Sequence, residues 1–256
     1  MNSFEKKVID APIGKTHIFF VGQAGFIIKS SNGQLLGIDL YLSDCVQRVE
    51  NSRGFKRLLP NLLESCELVF DVLIATHHHR DHFDIDSIPS LMSNKHTTLC
   101  AAYDCREDVI NLGLSQEQVV YVKPKDKCTV GDFILEFVDC DHGAGAPQAV
   151  GVVITVDNEK VYCAGDTCLR MDRVDSLKEY GEFDVVIGPI NGQYGNMNER
   201  EFAEFSHELG GLSIPCHYGM FASHKGEIGK YFELMKNEYP EDRFLIMALG
   251  EEYTLE

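Results

Sequence analysis

Residues 76–82 read Thr-His-His-His-Arg-Asp-His. Imidazole and carboxylate are the ligands that zinc, iron and manganese take from proteins. Alternate side chains of an extended chain point the same way, so His77 and His79 can hold one cation together. Asp81 and His82 lie further along the turn and can face a second. A histidine-rich surface loop would give the same composition. It would not explain why the cluster follows directly on the apolar run 69–75, broken only by Asp71.

One loop cannot complete two metal sites, so further donors must come from elsewhere. Three residues fit: His142 after an expected strand 133–139, Asp166 after another at 161–164, and His217 after a third at 212–216. Each stands at the C-terminal end of its strand, where open α/β architectures gather their sites. The order His-x-His-x-Asp-His, then His, then Gly-Asp-Thr, then a last His resembles the metallo-β-lactamase superfamily over nearly the whole chain. The resemblance implies a first metal on His77, His79 and His142. A second would sit on Asp81, His82 and His217, with Asp166 bridging the two. It also implies that Asp39, in Ile38-Asp39, supports the histidine loop from behind the ligands, a placement that orients them and tunes their basicity.

Within the superfamily, the segments 21–26 (VGQAGF), 38–44 (IDLYLSD), 76–84, 189–192 (PING) with Gly195-Asn196, and 217–221 (HYGMF) resemble the ascorbate-6-phosphate lactonase-like branch. That implies a metal-dependent hydrolase acting on a lactone or ester of a polar, sugar-derived small molecule, with one or two divalent ions, zinc or manganese before iron. Such a cation lowers the pKa of its water from about 16 to about 7 and supplies hydroxide at neutral pH. Asp81 is expected to serve first as a ligand and also to orient the nucleophile or shuttle a proton. Asn191, Tyr194 and Asn196 on a Gly-rich loop, with His224 and Lys225 further on, are candidate substrate contacts. Ordinary turn and helix-start roles would account for them equally well. His78 and Arg80 are expected to flank the loop, and His17, His96 and His207 to be structural. Two other readings stay open: a small-molecule phosphodiesterase on the same fold, and a non-catalytic metal-binding protein.

The elements that must position these residues follow from periodicity and turn signals. A hairpin is expected over 17–22 and 25–30, with Asn32-Gly33 turning the chain into 35–39. The stretch 44–68 reads as an irregular, partly helical excursion. Short helices are expected at 86–92, 104–112 and 172–180. Asn198 should cap a helix to Leu209, and 225–238 is amphipathic. Further strands are expected at 97–102, 119–122, 150–156 with 160–164, 184–190, 212–216 and 244–249. Hairpin strands interspersed with helices predict an α/β, four-layer αββα sandwich over a single domain, 1–256.

Composition bounds the rest. The 256 residues suffice for a sizeable core, and no apolar run reaches the eighteen residues of a membrane span. The net charge of −17 would repel nucleic acid, and no basic stripe offsets it. Nine cysteines without a Cys-x-x-Cys pair, and no signal-peptide pattern at the start, point to a reducing cytoplasm. The expected partner is a small-molecule substrate, with no nucleic acid and no membrane. A homo-oligomer stays open.

Overall fold

A computed structural model describes residues 3–255. The elements run α1 (Ser3–Asp10), β1 (His17–Gly22), β2 (Gly25–Lys29), β3 (Leu35–Ile38), α2 (Cys45–Glu50), β4 (Val72–Ala75), α3 (Ile88–Leu91), β5 (Thr98–Ala102), α4 (Arg106–Asn111), β6 (Val119–Val122), β7 (Lys127–Val130) and β8 (Phe133–Asp139). They continue through β9 (Val150–Val156), β10 (Glu159–Cys163), α5 (Val174–Lys178), β11 (Val185–Pro189), α6 (Glu199–Leu209), β12 (Leu212–Cys216), α7 (Ile228–Glu238) and β13 (Glu252–Thr254).

Among the described residues the strands make two sheets. One runs β13-β1-β2-β3-β4-β5-β6 and the other β12-β11-β10-β9-β8-β7. Each is mixed: hairpins β1-β2-β3 and β7-β8-β9-β10 are antiparallel, while β3-β4-β5-β6 and β10-β11-β12 are parallel. Every residue of β1, β2, β4, β11 and β12 is buried, because these strands lie under cover on both faces. Helices flank the sheet pair, giving the expected αββα sandwich. The parallel strands matter for function, since they bring successive C-terminal ends to one edge.

Local signals explain most elements. Asp157 and Asn158, both with positive φ, turn β9 into β10. Asn198 accepts hydrogen bonds from the amides of Arg200 and Glu201, while the Glu201 carboxylate accepts one from Asn198 N, a reciprocal cap that starts α6. One expected strand is corrected. Residues 244–249 form no strand beyond a single bridge between Ser213 and Phe244. Leu245 N still bonds Ser213 O, but the Met247 carbonyl accepts from the Tyr218 hydroxyl instead of a neighbouring backbone. The last strand is β13, which pairs antiparallel with β1. No helix of the described residues is long and apolar enough to cross a membrane. Among the cysteines, Cys100, Cys163 and Cys216 are buried as expected, and all nine are free thiols.

The first helix is anchored by an unusual buried cation. Lys29 Nζ donates to the carbonyls of Val8, Ile9 and Ala11 at 2.7–2.9 Å, so it closes the C-terminal end of α1. Replacing it with methionine keeps the stem and strands three carbonyls. Lys29→Met should lower the unfolding free energy by about 2–4 kcal/mol in urea melts. An unchanged midpoint would show that this end of the helix is satisfied otherwise.

Candidate metal centre

β3 and β4 run parallel, and their ends set up the site. Asp39, the residue after β3, is buried with φ +48°. Its Oδ1 accepts from Thr76 N at 2.8 Å, and its Oδ2 accepts from Thr76 Oγ1 at 2.7 Å. The same Oδ2 lies 2.8 Å from His82 Nδ1. A carboxylate so placed fixes the proton on Nδ1 and leaves Nε2 free as a donor to a metal. Thr76 Oγ1 stands 3.1 Å from His77 Nδ1, which turns the Nε2 of that ring inward too. Behind the loop, Asp84 is fully buried and receives the Leu42 amide together with the Ser43 and Ser87 hydroxyls.

The other sheet supplies the rest. Asp166 follows β10 through Gly165, whose φ is +64°. A Cβ on Gly165 would stand 2.9 Å from the Val150 carbonyl, so the turn that aims Asp166 needs glycine. His217 ends β12 at φ +63°, with its amide bonded to Gln23 O at 2.7 Å. His142 follows β8 and is buried.

The ligand atoms converge in two groups. His77 Nε2 and His79 Nδ1 are 3.0 Å apart, His79 Nδ1 and His142 Nε2 3.1 Å, and His142 Nε2 and Asp166 Oδ2 3.7 Å. In the second group His82 Nε2 lies 3.4 Å and His217 Nε2 3.2 Å from the same Asp166 oxygen. Asp81 Oδ2 lies 3.7 Å from His82 Nε2 and 3.3 Å from His217 Nε2. Donors about 2.1 Å from a tetrahedral ion stand about 3.4 Å from one another. These separations therefore fit two divalent ions sharing Asp166. The buried His82 Nε2 and Asp166 Oδ1 lack hydrogen-bond partners among the described residues, as expected of atoms meant for a metal.

The electrostatics agree. Burial, then the neighbouring His82, pushes the His77 pKa well below its usual value, and burial with His142 pushes His79 down to about 4. Both rings are thus neutral, the form that binds metal. Burial alone would raise the Asp166 and Asp81 carboxyls. His217 and His82 beside Asp166, and His82 and His217 beside Asp81, more than reverse this and hold both well below the usual carboxylate range.

Of the residues expected at the site, the structure brings His77, His79, Asp81, His82, His142, Asp166 and His217 together, with Asp39 behind them. The candidate substrate contacts divide. Tyr194 and His224 line the cleft above the ligands, about 340 Å³ in volume. Asn191 and Lys225 instead open onto a separate depression with Glu199 and Lys230. Asn196 is buried and donates to Asn191 Oδ1 at 3.0 Å. His78 stands 3.3 Å from Asp104, and Arg80 makes a two-pronged contact with Asp108 at 2.7 and 3.0 Å. His17, His96 and His207 pair with Glu252, Asp71 and Asp242 away from the centre. Sequence reasoning missed two contributors. Val46, Val49 and Phe55 of the 44–68 excursion form a cleft wall, and Gln23, fully buried, reaches Asp81, His217 and His224.

A family model for the β-lactamase superfamily domain matches residues 39–218. The chain belongs to the metallo-β-lactamase superfamily. The match begins at Asp39 and ends just past His217, so it spans the whole ligand set. A metal-dependent hydrolase of Korarchaeum cryptofilum is 27% identical over 250 residues, 93% of this chain and 99% of that one. Another, from Polynucleobacter asymbioticus, is 25% identical, covering 87% of this chain and 81% of the relative. Among solved structures, a metallo hydrolase from Ignicoccus hospitalis superposes with a TM-score of 0.74 at 19% identity, covering 94% of this chain and 99% of that one.

The role of Asp39 can be measured directly. Asp39→Asn turns one acceptor on Thr76 and His82 into a donor. It should weaken the ion on His82 by about 10–100-fold in a metal titration while the chain stays folded. Wild-type affinity would show that His82 does not depend on Asp39.

Proposed function

We propose that this metal-dependent hydrolase opens a lactone or ester of a small, uncharged molecule with a polar reacting end, such as a sugar-derived ring. The observation that carries the reading is the make-up of the cleft. Its floor is the ligand cluster, and one wall is Val46, Val49, Phe55 and Tyr194. Among the described residues Arg80 is the sole arginine or lysine lining it, and Arg80 is already neutralised by Asp108. Glu50 adds a negative charge at the lip. An anionic phosphoester would find no unpaired arginine or lysine there, whereas a neutral carbonyl compound needs none. The apolar wall can take the C–H face of such a ring and hold it over the floor.

The ions that His77, His79 and His142, and Asp81, His82 and His217, would hold supply a water acidified to near neutrality and a Lewis acid at the attacked oxygen. The chain's own residues do the rest. Asp166 joins the two groups and keeps them in register. Asp81 lies at the cleft floor, where its carboxylate can orient the attacking water and pass its proton on. Tyr194 and Phe55, with ring centroids 6.2 Å apart, line the cleft together.

A small-molecule phosphodiesterase is the second reading. The observation in its favour is the shared Asp166, because paired ions clamp both oxygens of an in-line phosphoryl displacement. The two readings separate in a turnover screen of neutral lactones, esters and small phosphodiesters with zinc, manganese or iron. Lactone or ester turnover that chelator removes is expected, and Asp166→Ala and His79→Ala should lose bound metal and activity together. Turnover confined to phosphodiesters would replace the first reading with the second. Full activity in either folded variant would sink both.

A further inference from the structure

The Gln23 carboxamide nitrogen lies 2.7 Å from Asp81 Oδ2, 3.0 Å from His217 Nε2 and 3.2 Å from His224 Nδ1. It marks one point on which three lone-pair donors converge, and Asp81, His217 and His224 also meet the spacing of a cation site. An NH2 group has two hydrogens, so it cannot satisfy three acceptors at once. Its own Oε1 is buried without a hydrogen-bond partner among the described residues. Gln23 is fully buried, so water does not compensate. The ring of His224 stacks on that of His217 at 4.9 Å and 15°, packed against Phe221 and Phe55. These neighbours hold its Nδ1 toward the ligand cluster.

The geometry points to His224 as an additional ligand of the ion held by Asp81 and His217, with the Gln23 carboxamide turned so that its oxygen serves as a further donor. A divalent cation at this corner satisfies all three lone pairs and the stranded oxygen, which the carboxamide nitrogen cannot. Adding His224 and Gln23 to Asp81, His82, Asp166 and His217 gives up to six nitrogen and oxygen donors. That number exceeds what tetrahedral zinc takes and suits manganese or iron. The inference rests on the dinuclear reading of the site but not on the substrate.

The test loads the whole chain with Mn2+ alone and counts bound ions by equilibrium dialysis with elemental analysis. Wild type should hold two. His224→Ala should retain the first ion at unchanged affinity and bind the second at least tenfold more weakly. His224→Gln, which keeps size and polarity, should lose one imidazole nitrogen coupling from the electron spin echo of the second ion. Thermal melting of both variants checks the fold. Gln23→Glu should bind the second ion more tightly if the side-chain oxygen is a donor, and more weakly if Gln23 only donates to Asp81. Two ions at wild-type affinity in His224→Ala, or an unchanged coupling in His224→Gln, would overturn the assignment and leave His224 a substrate contact. So would fewer than two ions in wild type. Failure to turn over any ester would sink the proposed reaction while leaving the ion count untouched.

Discussion

The contact on which the site depends is a buried carboxylate between two parallel strands. Asp39 ends β3 and binds both polar groups of Thr76 at the end of β4, so the strand pair and the histidine loop share one anchor. Its second oxygen also faces His82, which extends the anchor into the ligand cluster. Burying an ionised carboxylate is costly unless it is fully hydrogen-bonded, and here each contact meets that need while fixing something else. Asp84 repeats the logic one turn further on, tying the loop to residues 42 and 43. These hydrogen bonds hold the loop against both strand ends.

The cluster itself is a problem of charge balance. Seven ionisable candidate ligands from four strand ends, those of β4, β8, β10 and β12, converge in the interior, and among the described residues no lysine or arginine joins them. Neutral His77 and His79 stand on one side, and carboxylates Asp81 and Asp166 lie between His82 and His217 on the other. Burial and these two carboxylates act in opposite senses on His217, and the carboxylates prevail, pushing its pKa up to about 9.

Much of this was legible in the residues. The His-x-His-x-Asp-His run sets its own geometry through the alternation of an extended chain. Asp166 and His217 declare themselves because each follows an apolar run with β character. Helix-start chemistry marked the Asn198 cap, and apolar runs marked the strands on either side of Asp157-Asn158. What the sequence hid was whatever depends on distant packing. Residues 244–249 have strand composition, but Tyr218 takes the carbonyl of Met247 and the ladder stops. The cleft wall from Val46, Val49 and Phe55 lies in a segment with no periodicity to read. Gln23 sits in a hairpin turn far from the histidines in sequence, and only the closure of β1 and β2 against β12 brings it to His217.

Gln23, Asp39 and His217 are all left-handed non-glycine residues, at φ +56°, +48° and +63°. Each position costs roughly 1–2 kcal/mol relative to a residue without a Cβ. Glycine would be more comfortable at all three and would erase the anchor, a ligand and the inward-facing carboxamide. Backbone strain is thus kept at positions whose side chains the site uses.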